Sequence, residues 1–160
     1  MAIAGKGFRQ MLPQKILFCT DFSDNSKPAR QNAVDYARAF GAELIILHVI
    51  NSSRIGYPSL DEGLPLDIRS TLTNIQQSVQ KALSLMASEC SKDLQRVQTS
   101  VLVGTPAEEI VRFSEQESVQ LVVMGTHGWT GFKHLIMGST AENVVRTSLC
   151  PVLTVKSSSS

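Results

Sequence analysis

Short apolar runs, each about the length of one strand, recur along this chain with helix-length amphipathic segments between them. The runs are Lys15-Ile-Leu-Phe-Cys-Thr20, Leu44-Ile-Ile-Leu-His-Val-Ile50, Val97 to Val103, Gln120-Leu-Val-Val-Met-Gly125 and Pro151-Val-Leu-Thr-Val155. Several lack the polar alternation of a strand that faces water on one side. Strands covered on both faces read this way, and crossover helices supply that cover. The pattern therefore predicts a parallel sheet with helices on both faces.

The intervening segments support the same reading. Pro28 suits a first helical turn and Gly41 the residue just past a helix end. Between them Ala29, Ala33, Ala37 and Phe40 form a stripe of mostly small residues that can approach a sheet closely. Ile68, Leu72, Ile75, Val79, Leu83, Met86, Cys90 and Leu94 recur at steps of three and four, which predicts one long helix with an apolar face. Thr105-Pro-Ala-Glu108 and Ser139-Thr-Ala-Glu142 both have the spacing of a capping box. The order is β-α-β-α-β-α-β-α-β. Right-handed crossovers then give a single-domain, doubly wound, five-stranded parallel sheet, an α/β fold of Rossmann-like type. Residues 1–14 read as an N-terminal extension, 15–156 as the domain and 157–160 as a disordered tail. Asn51 to Pro65, with Gly56, Pro58, Gly63 and Pro65, reads as a loop.

Length and charge limit the functions such a fold could serve. The chain has 160 residues, with 15 Lys plus Arg against 14 Asp plus Glu, which argues against a broad basic surface for nucleic acid. No apolar run approaches the roughly 20 residues that span a bilayer, and Met1 to Gln14 has no continuous apolar segment, so neither membrane nor secretory signal is expected. Cys19, Cys90 and Cys150 are odd in number and widely spaced, without a CxxC pair. A disulfide framework or zinc site is not expected, and the cytoplasm fits best.

In open α/β sheets, ligands bind beyond the carboxyl ends of the strands where strand order reverses. Two strand ends here carry suitable residues. The first run leads into Thr20-Asp21-Phe22-Ser23, and the fourth into a glycine-bearing stretch that ends in Gly138-Ser139-Thr140 at a helix start. Glycine admits close backbone approach to a phosphate, and a helix N-terminus adds orphan N–H groups. Ser139 and Thr140 could add hydroxyl donors or serve only as caps, the glycines could form only a turn, and Asp21 could be a turn residue. GxGxxG and GxxxxGK[ST] are both absent, which disfavours dinucleotide binding and a Walker ATPase.

These residues resemble the ATP-binding type of the universal stress protein family. Its signature Gly-x2-Gly-x9-Gly-(Ser/Thr) is matched by Gly125, Gly128, Gly138 and Ser139. The likeness extends over Ile16 to Ser23, Leu47-His-Val49, Val103 to Ile110, Val123 to Gly128 and Cys150 to Val155. The resemblance implies an adenine nucleotide alpha hydrolase-like sheet and a homodimer formed through the last strand. It also implies ATP, with Mg or Mn held by the phosphates, at the switch between the first and fourth strands. Carried over by position, Asp21 would face the adenosine, while Cys19 and the backbone of Val49 would line the adenine slot. Met124 and Gly125 would close the fourth strand against it. Gly128, Gly138, Ser139 and Thr140 would hold ribose and phosphates, and His127 in the same stretch would be among the nucleotide-binding residues. Many relatives carry proline or a small aliphatic residue where this chain has Cys19. Within the nine-residue spacer, Lys133 could approach phosphate or stay solvated. Neither His127 nor His134 has a recognisable catalytic partner.

The leading functional expectation is a cytoplasmic nucleotide-binding stress-response dimer that acts through bound ATP and an unidentified protein partner. The alternatives are a slow ATPase and a dimeric interaction module that binds no nucleotide.

Overall fold

Residues 12–55, 66–127 and 137–157 are described in the computed structural model of the chain. Five strands form one parallel sheet in the order β3-β2-β1-β4-β5: β1 (Lys15–Cys19), β2 (Glu43–Asn51), β3 (Val97–Gly104), β4 (Leu121–Gly125) and β5 (Val152–Val155). The connecting helices are α1 (Lys27–Phe40), α2 (Leu66–Cys90), α3 (Pro106–Gln116) and α4 (Ser139–Thr147). The expected fold class is therefore the observed one. Among the described residues no helix is long and apolar enough to cross a membrane.

The unalternated runs are explained by two cores, one on each face. Ile16, Phe18, Leu44, Ile46 and Val123 point to one side, where Ala29, Ala33 and Ala37 of α1 and Leu83 and Cys90 of α2 cover them. Leu17, Cys19, Ile45, Leu47, Val122 and Met124 point to the other, against Ala107 and Ile110 of α3 and Ala141 and Val144 of α4. A one-residue register slip would exchange both sets, so neither face tolerates one. The small stripe on α1 lets that helix lie close over β1 and β4. Gly41 ends it in the left-handed region at φ 66°, with Ala42 N–H donating to Ala37 O.

Several local expectations are corrected. Asn51 belongs to β2, opposite Gly104, and Ser52–Ile55 form a 3-10 turn, so these five residues are not the loop the sequence suggested. The remainder of that segment, 56–65, lies outside the described residues. Neither capping box forms. Thr105 occupies the N-cap of α3, but its side chain makes no cap hydrogen bond. In α4 Gly138 takes the N-cap position, which moves Ser139 into the first turn and leaves Glu142 to pair with Arg146. Ser157, read as tail, donates to Asn25 Oδ1 at 3.1 Å.

Candidate functional site

Strand order reverses between β1 and β4, because the chain winds outward to β3 on one side and to β5 on the other. Crossover connections diverge there and leave a crevice at the carboxyl ends of the two strands. The cavity found there has a volume of about 560 Å³, within the usual range for small-molecule sites. Cys19, Asp21, Val49, Met124, Gly125, His127, Gly138, Ser139 and Thr140 all lie on it. Gly128 and the spacer residues Trp129, Phe132, Lys133 and His134 lie outside the described residues.

The lining divides by chemistry. Leu47, Val49, Pro106, Ile110 and Met124 supply apolar surface. Ser139 and Thr140 begin α4, where backbone N–H groups have no intrahelical acceptor and the positive end of the helix dipole faces outward. Gly138 acts differently from expectation. Its N–H donates to Thr126 O at 2.7 Å, and a Cβ there would meet that same oxygen at 3.3 Å. That bond ties the start of α4 to the end of β4 and engages the Gly138 N–H within the chain. At Gly125 a Cβ would stand 3.1 Å from Asn25 O. That glycine lets the end of β4 pack against the 3-10 turn Asp24–Ser26 that follows β1.

Asp21 sits in a tightly bonded turn. Its Oδ1 accepts the Ser23 N–H at 3.0 Å and the Ser23 hydroxyl at 2.6 Å, the arrangement of an Asx turn. The turn residue between them, Phe22, is held at φ 63°. A bulky side chain in that region costs on the order of 1–3 kcal/mol, and such residues cluster at functional sites. The Phe22 N–H donates to Thr20 Oγ1 at 3.0 Å, which helps to hold the strained residue.

His48 and Thr20 also lie on the cavity, and the sequence reading assigned neither of them a role there. The Nδ1 of His48 lies 2.8 Å from Thr20 O. A carbonyl can only accept, so Nδ1 carries the proton. The ring packs on Phe22 with centroids 4.8 Å apart. Burial pushes the imidazole below its ordinary pKa, against the opposing effects of the Thr20 bond and the Asp21 charge. A polar residue interrupting an otherwise apolar strand was the available signal. Ile75 and Val79 of α2, and Arg54 after β2, also reach the cavity from segments that no motif had joined to it.

The thiol of Cys19 is buried, and burial, with a smaller effect from Cys150, pushes its pKa far up. It serves as a small apolar wall rather than a nucleophile. Among the described residues no three His, Cys, Asp or Glu side chains gather as a metal centre.

Comparison with known proteins places this geometry in context. The model of the universal stress protein family matches residues 13–156. Universal stress protein MJ0531 of Methanocaldococcus jannaschii is 38% identical over 146 residues, spanning 91% of this chain and 83% of that protein. Universal stress protein MJ0577 of the same organism is 31% identical over 153 residues, with 89% and 94% covered. The solved structure of MJ0577 matches with a TM-score of 0.70 at 30% identity, covering 93% of this chain and 99% of that one. A universal stress protein of Archaeoglobus fulgidus, solved in complex with dAMP, shares the fold with a TM-score of 0.63 at 21% identity, covering 91% and 99%.

Proposed function

The chain belongs to the universal stress protein family, and from that premise we propose that it binds ATP in the cavity between β1 and β4, as a regulatory ligand. One observation carries the reading. The switch point brings an apolar slot, a carboxylate in a rigid turn and a helix N-terminus onto one cavity. Those three chemistries match the three parts of an adenine nucleotide. The base fits the apolar surface of Val49 and Met124 beside Cys19. Asp21 accepts hydrogen bonds from the adenosine. The phosphates meet the leading N–H groups of α4 and the hydroxyls of Ser139 and Thr140. A divalent ion, where present, is brought by the phosphates and supplies charge neutralisation.

The reading is one of binding: Asp21 is an acceptor, the start of α4 supplies donors, and Leu47, Val49 and Met124 supply apolar surface. Phosphoryl transfer would further require a positioned base and cationic stabilisers acting as a set. We place the protein in the cytoplasm as a dimer joined through β5, in which nucleotide occupancy is read by a protein partner.

The test is direct. Purified protein is denatured, the released small molecules are identified, and the apo protein is titrated calorimetrically with ATP, ADP, AMP and cAMP. Saturable ATP binding at one site per chain is expected. No released nucleotide and no binding heat with any of the four would overturn the reading. Rapid conversion of bound ATP to ADP would replace a regulatory ligand with a hydrolytic one.

A further inference from the structure

The turn that presents Asp21 is tied to β2 at two points. The Thr20 N–H donates to Leu47 O at 2.9 Å, continuing the ladder, and Thr20 O accepts from His48 Nδ1 at 2.8 Å. From Thr20 a chain of hydroxyls leads on. Ser26 Oγ donates to Ser23 O at 2.8 Å, so the 3.2 Å contact between Thr20 Oγ1 and Ser26 Oγ takes its proton from Thr20. Ser23 then donates twice to Asp21 Oδ1. Thr20, Ser23 and Ser26 are all buried, so the links among the three are shielded from water, while the bonds to His48 and Asp21 at the two ends are part-buried. The residue inside this frame, Phe22, is in the left-handed region and leans on the His48 ring.

We propose that His48 is a positioning residue for ligand binding: its Nδ1–H fixes the Thr20 carbonyl and, through Thr20, Ser26 and Ser23, sets where Asp21 presents its carboxylate. This rests on the nucleotide reading above. A histidine that merely fills space on β2 would need neither a fixed tautomer nor a bond to the one carbonyl from which the turn departs. The groups that bear on the ring are the Thr20 carbonyl, the Phe22 ring and the Asp21 carboxylate. Burial favours the neutral imidazole near neutral pH, with Nδ1 protonated and Nε2 bare.

The position separates cleanly by substitution. His48→Asn keeps an N–H donor near the place of Nδ1 but removes Nε2 and most of the ring. His48→Leu keeps bulk and removes the donor. Three measurements on the full chain decide. In ligand-free protein, amide resonances of Thr20, Asp21, Phe22 and Ser23 are expected to move in His48→Leu and to stay near wild type in His48→Asn. Calorimetry is expected to show about a tenfold loss of ATP affinity in His48→Leu, the effect of one hydrogen bond, with most of it regained in His48→Asn. In an Asp21→Ala background, His48→Leu is expected to add less than about a twofold further loss, because it acts through Asp21. Equal losses in both His48 variants would mean that the ring itself touches the ligand and would overturn the proposal. Multiplying losses in the double variant would overturn it as well, as would unmoved amides in His48→Leu. Should His48→Leu fail to fold, His48→Asn and nitrogen NMR of the wild-type ring still decide, since a proton on Nε2 rather than Nδ1 sinks the clamp. If wild-type protein takes up no ATP, the nucleotide reading fails, while the amide and tautomer measurements still report on the clamp alone.

Discussion

Ser23 gives both its N–H and its hydroxyl to Asp21 Oδ1, so the carboxylate holds its own turn as well as facing the cavity. The two roles can be separated. Asp21→Ala should lower ATP affinity tenfold to a hundredfold and also destabilise the chain by about 1–3 kcal/mol, because Ser23 is left buried without its acceptor. Asp21→Asn keeps an oxygen for Ser23 and removes the charge. Its melting temperature should stay close to wild type while affinity still falls. Paired calorimetric titration and thermal unfolding check this, and an unchanged affinity in Asp21→Ala would reduce the residue to a turn former. His48 adds a pH dependence whose sign follows from its burial. The folded pKa lies below the unfolded value of about 6.5, so the folded chain favours the neutral ring. The stability this contributes is fully present above the unfolded pKa and is lost as pH falls through the folded one. Thermal melts of wild type against His48→Asn should therefore differ in slope below about pH 6.5 and run parallel above it.

At the scale of elements, the helix ends show which local signals the fold uses. Gly41 closes α1 at φ 66°, with open space where a Cβ would go. Only the backbone conformation opposes a side chain there, and Gly41→Ala should cost about 1–2 kcal/mol in urea unfolding. Thr105 stands at an N-cap without a side-chain cap bond. Thr105→Ala should then cost clearly less than the roughly 1 kcal/mol of a working cap. A full-sized loss in that variant would show that the threonine hydroxyl caps α3 in solution. The long helix α2 has its own division of labour. Leu83 and Cys90 are buried in the core, Ile75, about two turns before Leu83, lines the cavity, and Val79, about one turn before Leu83, both packs on the core and lines the cavity. One apolar stripe thus serves the fold at one end and the site at the other.

For the whole molecule, β5 lies at an edge of the sheet with β4 on one side only. Pro151 O and Val155 O accept from Val122 and Thr126 of the β4 side. Since bonding direction alternates along a strand, Val152 and Thr154 present their N–H and C=O groups to the open edge. A second copy placed antiparallel would pair those groups by an isologous contact. Val152, Leu153 and Val155 pack against the two cores, so charged residues there would damage the fold together with any interface. Thr154→Pro is the cleaner probe, because it removes one outward N–H and leaves the β4 ladder intact. Light scattering should give a dimer for wild type and a folded monomer for Thr154→Pro. A wild-type mass near 17.4 kDa at micromolar concentration would exclude the dimer, and a Thr154→Pro dimer would move the interface away from β5.

How much of this was legible in the residues differs by feature. Burial on both faces removes the need for polar alternation, so strand number, parallel pairing and the small stripe of α1 could be read directly from the order of side chains. The spacing of Gly125, Gly138 and Ser139 pointed to the carboxyl end of β4, and all three lie on the cavity there, since glycines and a helix start are local features. Hydrogen-bond partners are not local. The capping boxes were read from spacing alone, yet α4 begins one residue earlier than that spacing implied, once Gly138 N–H found Thr126 O across a loop. His48 looked like one polar residue in an apolar strand. Its bond to Thr20 joins residues 28 apart in the chain, and exists only because β2 lies beside β1. The same holds for Ile75, Val79 and Arg54, which reach the cavity from segments with no motif. The sequence alone determined which surfaces must be buried, because hydrophobic pattern is written residue by residue. The tertiary structure decided which polar atoms meet, because that depends on how separate strands are laid against one another.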